Sequence, residues 1–449
     1  MRLRRPRVSA RFRDVRTWIA FSDLHLTTAS QSVAMQVLDR VHAEAVARDA
    51  GVIFLGDFWH HRGKIPVEPL NAAVEKLALW RRPTIMLTGN HDQVTIGGEV
   101  HALTALAAAA PHGMIRVVAE PTLLLGALWL PYRRHQDDIN QAIALAQREA
   151  SRRGDQLRTI FCHADIQGAQ FNNAYQATLG LPLSAFPSGT DVWSGHYHMP
   201  QVIEGGDAQT PVRVEYVGSP VELSFAEEHQ QKRMLLFSTP GGEARGGTNR
   251  GRTPLLAGHT TTEVGGDHRG WRRTGEVALH IGPRHFSIEG DALAQWLSES
   301  PTQHQTPTVD AVLAAIESVA GKSRPRGGPA SGDRVRILLD GTASAETETA
   351  CELAADGLRS SGVAVQVIRR PAPAPARIEG SSTMSAPALL DAYYHAARDP
   401  SRDSGEDYSQ AAQNMLRDAG RTGGSAITFA HKTDPASLVI IGVSMDQLI

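Results

Sequence analysis

Short apolar runs that end in polar, chemically versatile side chains recur through the first half of the chain. The clearest, Thr84 to Asp92, reads T-I-M-L-T-G-N-H-D, five apolar or β-favouring residues followed by Gly, Asn, His and Asp. An apolar run bounded by Gly is typical of a buried strand, and Gly89 lets the backbone turn tightly beside a ligand. We therefore expect the three polar side chains at the carboxyl end of a strand, where open α/β sheets bind ligands.

Four more runs end in the same way. They are T-W-I-A-F before S-D-L-H at 22–25, G-V-I-F-L before G-D at 56–57, R-T-I-F before C-H at 162–163 and D-V-W before S-G-H-Y-H at 194–198. Taken singly, each ending is also compatible with a surface turn, a helix N-cap or a buried, hydrogen-bonded histidine. Random placement of ionisable residues would not favour strand ends five times.

Strand-like and helix-like segments alternate from Thr17 to about Ser238, which predicts a layered α/β domain. Helical spacing follows the first two strands, at Val33–Ala50 and Pro69–Trp80. Further strands are expected at Leu123–Leu130, Val212–Val217 and Arg233–Phe237, so a second sheet should pack on the first. The predicted fold class is α/β, a two-layer β-sandwich flanked by helices with a smaller C-terminal α+β cap-like domain.

The rest of the chain divides by composition. We predict a basic N-terminal extension at 1–16, a main domain at 17–240, a Gly/Arg-rich linker at 241–270, a cap-like domain at 271–370 and a Pro/Ala linker with a helical region at 371–449. Within the cap-like domain we expect a strand at Glu276–Ile281, a helix at Val309–Val319 and a β-α-β unit at 333–368. Later helices are expected at Ala386–Arg398 and Tyr408–Asp418, and a last apolar run at Ser437–Val443.

Composition narrows the function classes. The formal net charge of −2 and the pI of about 6.8 do not indicate a nucleic-acid binder, so local groups or a metal would have to hold any phosphate. The two cysteines, Cys162 and Cys351, exclude a disulfide framework and favour a reducing, intracellular compartment. Residues 1–16 hold seven arginines and one acid. This composition is compatible with the stub of an organellar transit peptide, so the expected compartment is the cytoplasm, the nucleus or an organelle. No apolar run is long enough to span a membrane, and no membrane partner is expected.

The polar strand ends form a consistent metal-ligand set. Carboxylate, amide oxygen and imidazole together suit Mn²⁺, Fe or Zn²⁺, with Mn²⁺ our first expectation although softness alone does not choose among them. So many ligands exceed the needs of one ion, whereas two ions about 3.5–4 Å apart with a bridging carboxylate would use them all. Such a centre suits phosphate-ester hydrolysis, with a remaining imidazole as general acid. The candidate ligands are Asp23, His25, Asp57, Asn90, His163, His196 and His198.

As a set, these motifs resemble the calcineurin-like metallophosphoesterases. The resemblance covers residues 17–238 and rests on D-x-H at 23–25, G-D at 56–57, G-N-H-D at 89–92, His163 and G-H-x-H at 195–198. It implies a two-layer sandwich with two metals and a bridging Asp57. One ion would be held by Asp23, His25, Asp57 and His198, and the other by Asp57, Asn90, His163 and His196. The resemblance makes His91 the catalytic histidine.

Within that superfamily the detail is most similar to the SbcD-like DNA exonucleases. G-D-x-x-H, G-N-H-D and the segment Y-V-G-S-P-V-E-L-S-F at 216–225 support this branch, and the D-R-G of protein phosphatases is absent after Asp57. It implies DNA as substrate, an assisting catalytic role for His60 beside the metal ligands or on the substrate, and an SbcC-like SMC-family ATPase as partner. A homodimer is a further expectation. The alternative for His60 is a surface histidine beside His61. Arg334 and Arg336 either face phosphates or are solvated.

Two rival functions remain at this stage. The first is the same chemistry on a smaller ester, by a phosphatase or a cyclic-nucleotide or small-molecule phosphodiesterase. The second is a non-catalytic scaffold that kept the fold as a binding module. A comparison of diester, monoester and DNA substrates separates the first rival, and a count of bound metal ions tests the second.

Overall fold

A computed structural model describes residues 3–171, 176–207, 209–240, 270–299, 328–370, 428–431 and 438–441. In these residues the helices are α1 (Ala10–Arg13), α2 (Gln31–Ala47), α3 (Val67–Ala78), α4 (Leu103–Ala109), α5 (Gln136–Ser151), α6 (Gly290–Glu299) and α7 (Ala345–Ser360). Short 3₁₀ turns cover Leu183–Ala185 and Phe225–Glu227.

The strands are β1 (Thr17–Phe21), β2 (Gly51–Phe54), β3 (Thr84–Leu87), β4 (Ile115–Val118), β5 (Thr122–Leu124), β6 (Ala127–Leu130), β7 (Thr159–His163), β8 (Asp191–Gly195), β9 (Gln201–Asp207), β10 (Thr210–Tyr216), β11 (Arg233–Ser238), β12 (Arg272–Ala278), β13 (His285–Glu289), β14 (Arg334–Leu339), β15 (Ala364–Arg369), β16 (Thr428–His431) and β17 (Leu438–Ile441). They form sheets in the orders β12-β11-β1-β2-β3-β4, β5-β6-β7-β8-β10-β9, β13-β14-β15 and β16-β17.

The first two sheets pack face to face. Aromatic side chains from both sheets meet between them, with Trp193 and Phe161 of the second sheet against Phe237 of the first at ring-centroid distances of 4.7 and 5.6 Å. Each buried ring removes about 150–250 Å² from water, or roughly 4–6 kcal/mol of gross hydrophobic stabilisation at about 25 cal/mol per Å². Helices α2, α3 and α4 cover the outer face of the first sheet and α5 that of the second. The predicted fold class is therefore confirmed.

Parallel pairing places the functional loops. In the first sheet β1 pairs parallel with β2, β2 with β3 and β3 with β4. In the second sheet β6, β7 and β8 are also parallel. Parallel strands of one sheet all end at the same edge, so the loops after β1, β2 and β3 gather at one edge of the first sheet.

Two local predictions are corrected by the pairing. The predicted strand Leu123–Leu130 is a hairpin, because Leu125 and Gly126 both have positive φ, 53° and 76°, and turn the chain between β5 and β6. The predicted strand Glu276–Ile281 is β12, which starts at Arg272 and pairs antiparallel with β11, so it extends the first sheet. The domain boundaries themselves remain predictions.

The smaller module contains β13, β14 and β15 with α6 and α7 packed on them. Its β14-α7-β15 unit lies where the sequence predicts one, and β13 pairs parallel with β14. β16 and β17 form an antiparallel pair in a separate structural unit, and β17 lies in the predicted last apolar run. The predicted helices at 309–319, 386–398 and 408–418, and all but the last residue of the 241–270 linker, lie outside the described residues.

The arginine-rich N-terminal segment packs on the main domain. Phe12 and Val15 are buried in the core between the sheets, and Arg4 forms an ion pair with Glu120. This segment therefore contributes to the folded domain. Among the residues with a described structure, no helix combines the length and the apolar character needed to cross a membrane.

Candidate metal centre

The predicted ligands meet at one edge of the sandwich, although they come from strand ends up to 175 positions apart. Asp23 and His25 follow β1, Asp57 follows β2 and Asn90 follows β3, while His163 ends β7 and His196 and His198 follow β8. We name Asp23, His25 and His198 the first ligand group, and Asp57, Asn90, His163 and His196 the second. In each group the carboxylate and imidazole ligand atoms lie within 4.8 Å of one another.

Strained backbone accompanies this convergence. Four of the predicted ligands have positive φ, namely Asp23 at 54°, His25 at 46°, Asp57 at 61° and His196 at 98°. Such conformations are uncommon outside glycine and cost about 1–3 kcal/mol each unless the surroundings enforce them. Backbone hydrogen bonds hold two of these conformations in place, from Asp23 N to Gly56 O at 2.9 Å and from His25 N to Asp57 O at 3.0 Å. The strain directs the side chains into the cluster.

In the second ligand group, side-chain ligand atoms converge on one point. His163 donates from Nδ1 to Leu55 O at 2.7 Å, so its Nε2 is the ring nitrogen that faces the other ligands. That Nε2 lies 3.0 Å from Asn90 Oδ1 and 3.3 Å from Asp57 Oδ2. A reversed Asn90 amide would donate to the same atoms. With the Asn90 oxygen turned inwards instead, a cation at the centre of these atoms would satisfy them.

The first ligand group shows the same arrangement. His198 donates from Nδ1 to Glu227 Oε1 at 3.0 Å, so its Nε2 lone pair faces His25 Nε2 at 3.0 Å. Asp23 accepts from the backbone N–H of His196 at 3.1 Å. A metal-binding histidine usually donates its second ring N–H to a carboxylate or carbonyl in this way. Both ligand groups therefore contain histidines that are oriented as metal ligands are.

Asp57 lies between the two groups. Its Oδ2 is 3.3 Å from His163 Nε2 and 3.7 Å from His25 Nε2, so it reaches one histidine of each group. Its Oδ1 accepts from the backbone N–H of His91 at 2.8 Å. A carboxylate that reaches both groups fits a pair of divalent ions.

The electrostatics of the cluster also favour a cation. Burial lowers the pKa of His163, but the Asp57 carboxylate outweighs that effect and raises it to about 9. Burial favours protonated Asp57, yet the histidines around it, His163 first, hold the pKa of its carboxyl well below its usual range. Burial also lowers the pKa of His196 to about 3 and that of His25 well below its usual value. These two imidazoles are thus neutral and free to act as ligands near pH 7.

His91 and His60 line the open side of the cluster. His91 is half-buried and its Nδ1 lies 2.6 Å from His60 O. The His60 ring is stacked on His91 at a centroid distance of 5.5 Å, and its Nδ1 is 3.3 Å from His25 Nδ1. Although His60 is exposed, its ring touches the site, unlike that of a histidine in a free surface loop. His25, His60 and His91 form a third potential metal group.

Asp92 is buried and holds two ligand loops together. Its carboxylate accepts from the backbone N–H groups of Asp57 at 2.9 Å, Phe58 at 2.9 Å, Trp59 at 3.2 Å and Gly89 at 3.0 Å. Three of these four bonds connect the loop after β2 to the loop after β3, and the fourth holds the second loop together. The last residue of G-N-H-D therefore positions the ligands without being one of them.

Gly89 is required by close packing beside Asp57. A Cβ at this position would lie 2.1 Å from Asp57 Oδ1 and 2.4 Å from Asp57 N. We expect Gly89→Ala to weaken Mn²⁺ binding and to lower the free energy of unfolding by about 1–3 kcal/mol, the usual cost of overpacking. Calorimetric Mn²⁺ titration and urea unfolding measure both. Gly275→Ala is the control, since its Cβ would meet nothing closer than 3.7 Å, and wild-type behaviour of Gly89→Ala would contradict this packing.

The sequence reasoning missed Glu227 and Lys232. Glu227 accepts from His198, and Lys232, only 2% exposed, donates to Glu227 Oε2 at 2.6 Å. Burial raises the pKa of Glu227, but His198 and Lys232 more than reverse this and hold it well below its usual range. The available signal was proximity along the chain, because Glu227 follows the Y-V-G-S-P-V-E-L-S-F segment by two positions.

The comparisons with known proteins do not assign a function to this chain, so that assignment depends on the residues of the site. No family model and no curated protein matches the chain. Among solved structures, the chain is similar to the crystal structure of TT1561 of Thermus thermophilus, at 13% identity and a TM-score of 0.30, over 49% of this chain and 93% of that one. Independently of that likeness, the clustered His and Asp residues have the chemistry to hold a divalent metal, and they fit a metal-dependent phosphoesterase.

Proposed function

We propose that this chain is a dinuclear metal-dependent phosphodiesterase that hydrolyses DNA backbone phosphodiesters, an SbcD-like nuclease in double-strand-break repair. The observation that supports it most is the convergence of two ligand groups on the single carboxylate of Asp57. A lone structural ion needs about four protein ligands and no open side. This cluster offers seven candidates and has two further histidines at its open side.

Each part of the cluster has a defined task in this proposal. When bound, the two ions would neutralise phosphate charge and lower the pKa of a coordinated water towards neutral. Leu55 O and Glu227 fix the rings of His163 and His198 so that their Nε2 atoms face inwards. His91, whose Nδ1 faces His60 O, exchanges its second proton at Nε2. From there it protonates or steadies the leaving sugar oxygen.

The preference for DNA is supported by the residues around the opening. The SbcD-like motifs include His60, and its ring does touch both His25 and His91. With the Asn90 amide reversed, its oxygen accepts from the Arg62 guanidinium at 3.2 Å, so this cation is beside the cluster and available to a second phosphate. Arg334 on β14 is exposed and stays a candidate phosphate contact. Arg336 instead donates a hydrogen bond to Ser287 and makes a cation–π contact with the Phe225 ring, so its guanidinium is engaged within the chain. The ATPase partner, which the resemblance implies, and the homodimer both remain proposals.

A substrate panel tests this function. We expect the Mn²⁺-loaded protein to hydrolyse bis-p-nitrophenyl phosphate faster than p-nitrophenyl phosphate and to degrade linear duplex DNA, with all activity lost in EDTA. A preference for the monoester without DNA cleavage would contradict the proposal and favour the phosphatase alternative. Cleavage of the diester and of cyclic nucleotides, but not of DNA, would favour a small-molecule phosphodiesterase.

A further inference from the structure

The segment Ser219–Glu228 between β10 and β11 contacts the metal centre on one side and the smaller module on the other. It contains the 3₁₀ turn Phe225–Glu227, whose N-cap Ser224 accepts from Ala226 N. Glu222, Glu227 and Glu228 are all less than 9% exposed. Three buried carboxylates in seven residues require specific partners, because an unpaired buried charge is costly.

Glu227 holds the segment to the metal centre. Its Oε1 accepts from His198 Nδ1 at 3.0 Å, and its Oε2 accepts from Lys232 Nζ at 2.6 Å, Ser219 Oγ at 2.9 Å and Leu223 N at 3.1 Å. With four donors around it, this carboxylate has little freedom to rotate. The position of the turn therefore determines the position of the His198 ring.

The neighbouring carboxylates hold the same segment to β13 of the smaller module. Glu228 accepts from Ser287 N at 2.7 Å and from Ser287 Oγ at 2.5 Å, and Glu222 accepts from His285 N at 2.6 Å. These bonds occupy backbone donors on strand β13, so they fix the module to the segment in a defined register.

Phe225 adds a ring contact to this docking. Its ring lies edge-on to His285 at 4.8 Å, and the Arg336 guanidinium lies over it at 4.7 Å. Arg336 also donates from Nε to Ser287 Oγ at 2.6 Å, so Ser287 connects Arg336 to Glu228. Cation–π and charge-assisted contacts of this kind are directional. The module thus contacts the segment Ser219–Glu228 through the side chains of His285, Ser287 and Arg336.

We propose that docking of the smaller module on the turn Phe225–Glu227 sets the orientation of His198, which makes Glu227 and Glu228 positioning residues for metal binding. Glu228 directly follows Glu227 at the end of the turn, so a shift of Glu228 with the module displaces Glu227 and its hydrogen bond to His198. This inference rests on the proposed function only in that His198 is a metal ligand. Movement of the module would then change the affinity of the first ligand group for its ion.

Calorimetric Mn²⁺ titration of the full chain tests the coupling. Glu227→Gln is expected to weaken Mn²⁺ binding about 10- to 100-fold, the usual effect of removing a partner of a metal-binding histidine. Glu228→Ala, which touches no ligand, is expected to weaken it about 2- to 30-fold, and Glu228→Gln should recover part of the loss, since it keeps an acceptor for Ser287 N. Glu276→Ala, which removes a carboxylate paired with Arg233 and Arg273 instead, is the control.

A double-mutant cycle separates coupling from general destabilisation. In a Glu227→Gln background, Glu228→Ala should no longer change Mn²⁺ affinity, because the connection to His198 is already broken. An equal loss in both backgrounds, or wild-type affinity in Glu228→Ala, would overturn the inference. If Glu227→Gln does not fold, the Mn²⁺ affinities of Glu228→Ala and Ser287→Ala test the inference. Both should be weaker than the affinity of the matched control Ser361→Ala. A wild-type chain that binds no Mn²⁺ would instead refute the proposed function itself.

Discussion

Asp57→Ala is expected to abolish metal-dependent hydrolysis and to remove bound metal. Asp57 is 1% exposed, and its Oδ2 approaches a histidine of each ligand group, so its loss removes a ligand from both. Loss of one preorganised active-site group usually costs about 10²–10³ in rate, and here the whole centre depends on it. Mn²⁺-dependent DNA degradation and metal content, measured on the same preparation, check this result.

The control for Asp57→Ala is Asp39→Ala. Asp39 pairs with Lys76 on an exposed face of the domain, so its loss should leave both metal content and cleavage at wild-type values. Undiminished cleavage by Asp57→Ala would refute the assignment of the site. Retention of two ions per chain would show that the two groups do not share this carboxylate.

His91→Ala is expected to separate catalysis from metal binding. We predict a fall in kcat of about 10²–10⁴, the usual contribution of a general acid, with metal content unchanged. The link from residue 91 to Asp57 is a backbone N–H, and alanine retains it. DNA cleavage and metal content measure the two effects, with His112→Ala, an exposed histidine of the main domain, as the control.

Two outcomes would contradict that role of His91. Wild-type cleavage by His91→Ala would exclude it from the reaction. Loss of metal in His91→Ala would show that the group formed by His25, His60 and His91 binds an ion, since these three also lie within ligand reach of one another. In that case His91 would be a ligand, and the general acid would have to be another residue.

Much of the fold was predictable because parallel strands are buried on both faces. Such strands read as continuous apolar runs, so β1, β2, β3, β7 and β8 were visible along with the polar residues that follow them. The carboxyl ends of these strands are where α/β proteins bind ligands. This local rule places Asp23, Asp57 and Asn90 near one another without any knowledge of the rest of the fold.

The missed features depend on contacts that no local pattern encodes. Glu227 reaches His198 across 29 positions, and as a lone acid after an irregular segment it has no periodic neighbours. β12 joins the first sheet by pairing with β11 across residues 241–269, which a reading by composition treats as a boundary. The burial of Phe12 likewise depends on a core formed much later in the chain.

The central claim is that two ligand groups hold a pair of ions around Asp57, and anomalous diffraction from crystals soaked in Mn²⁺ tests it most directly. We predict two peaks about 3.5–4 Å apart, one bound by Asp23, His25 and His198 and the other by Asn90, His163 and His196, with Asp57 in contact with both. A single peak, or peaks bound by residues outside these two groups, would contradict the claim.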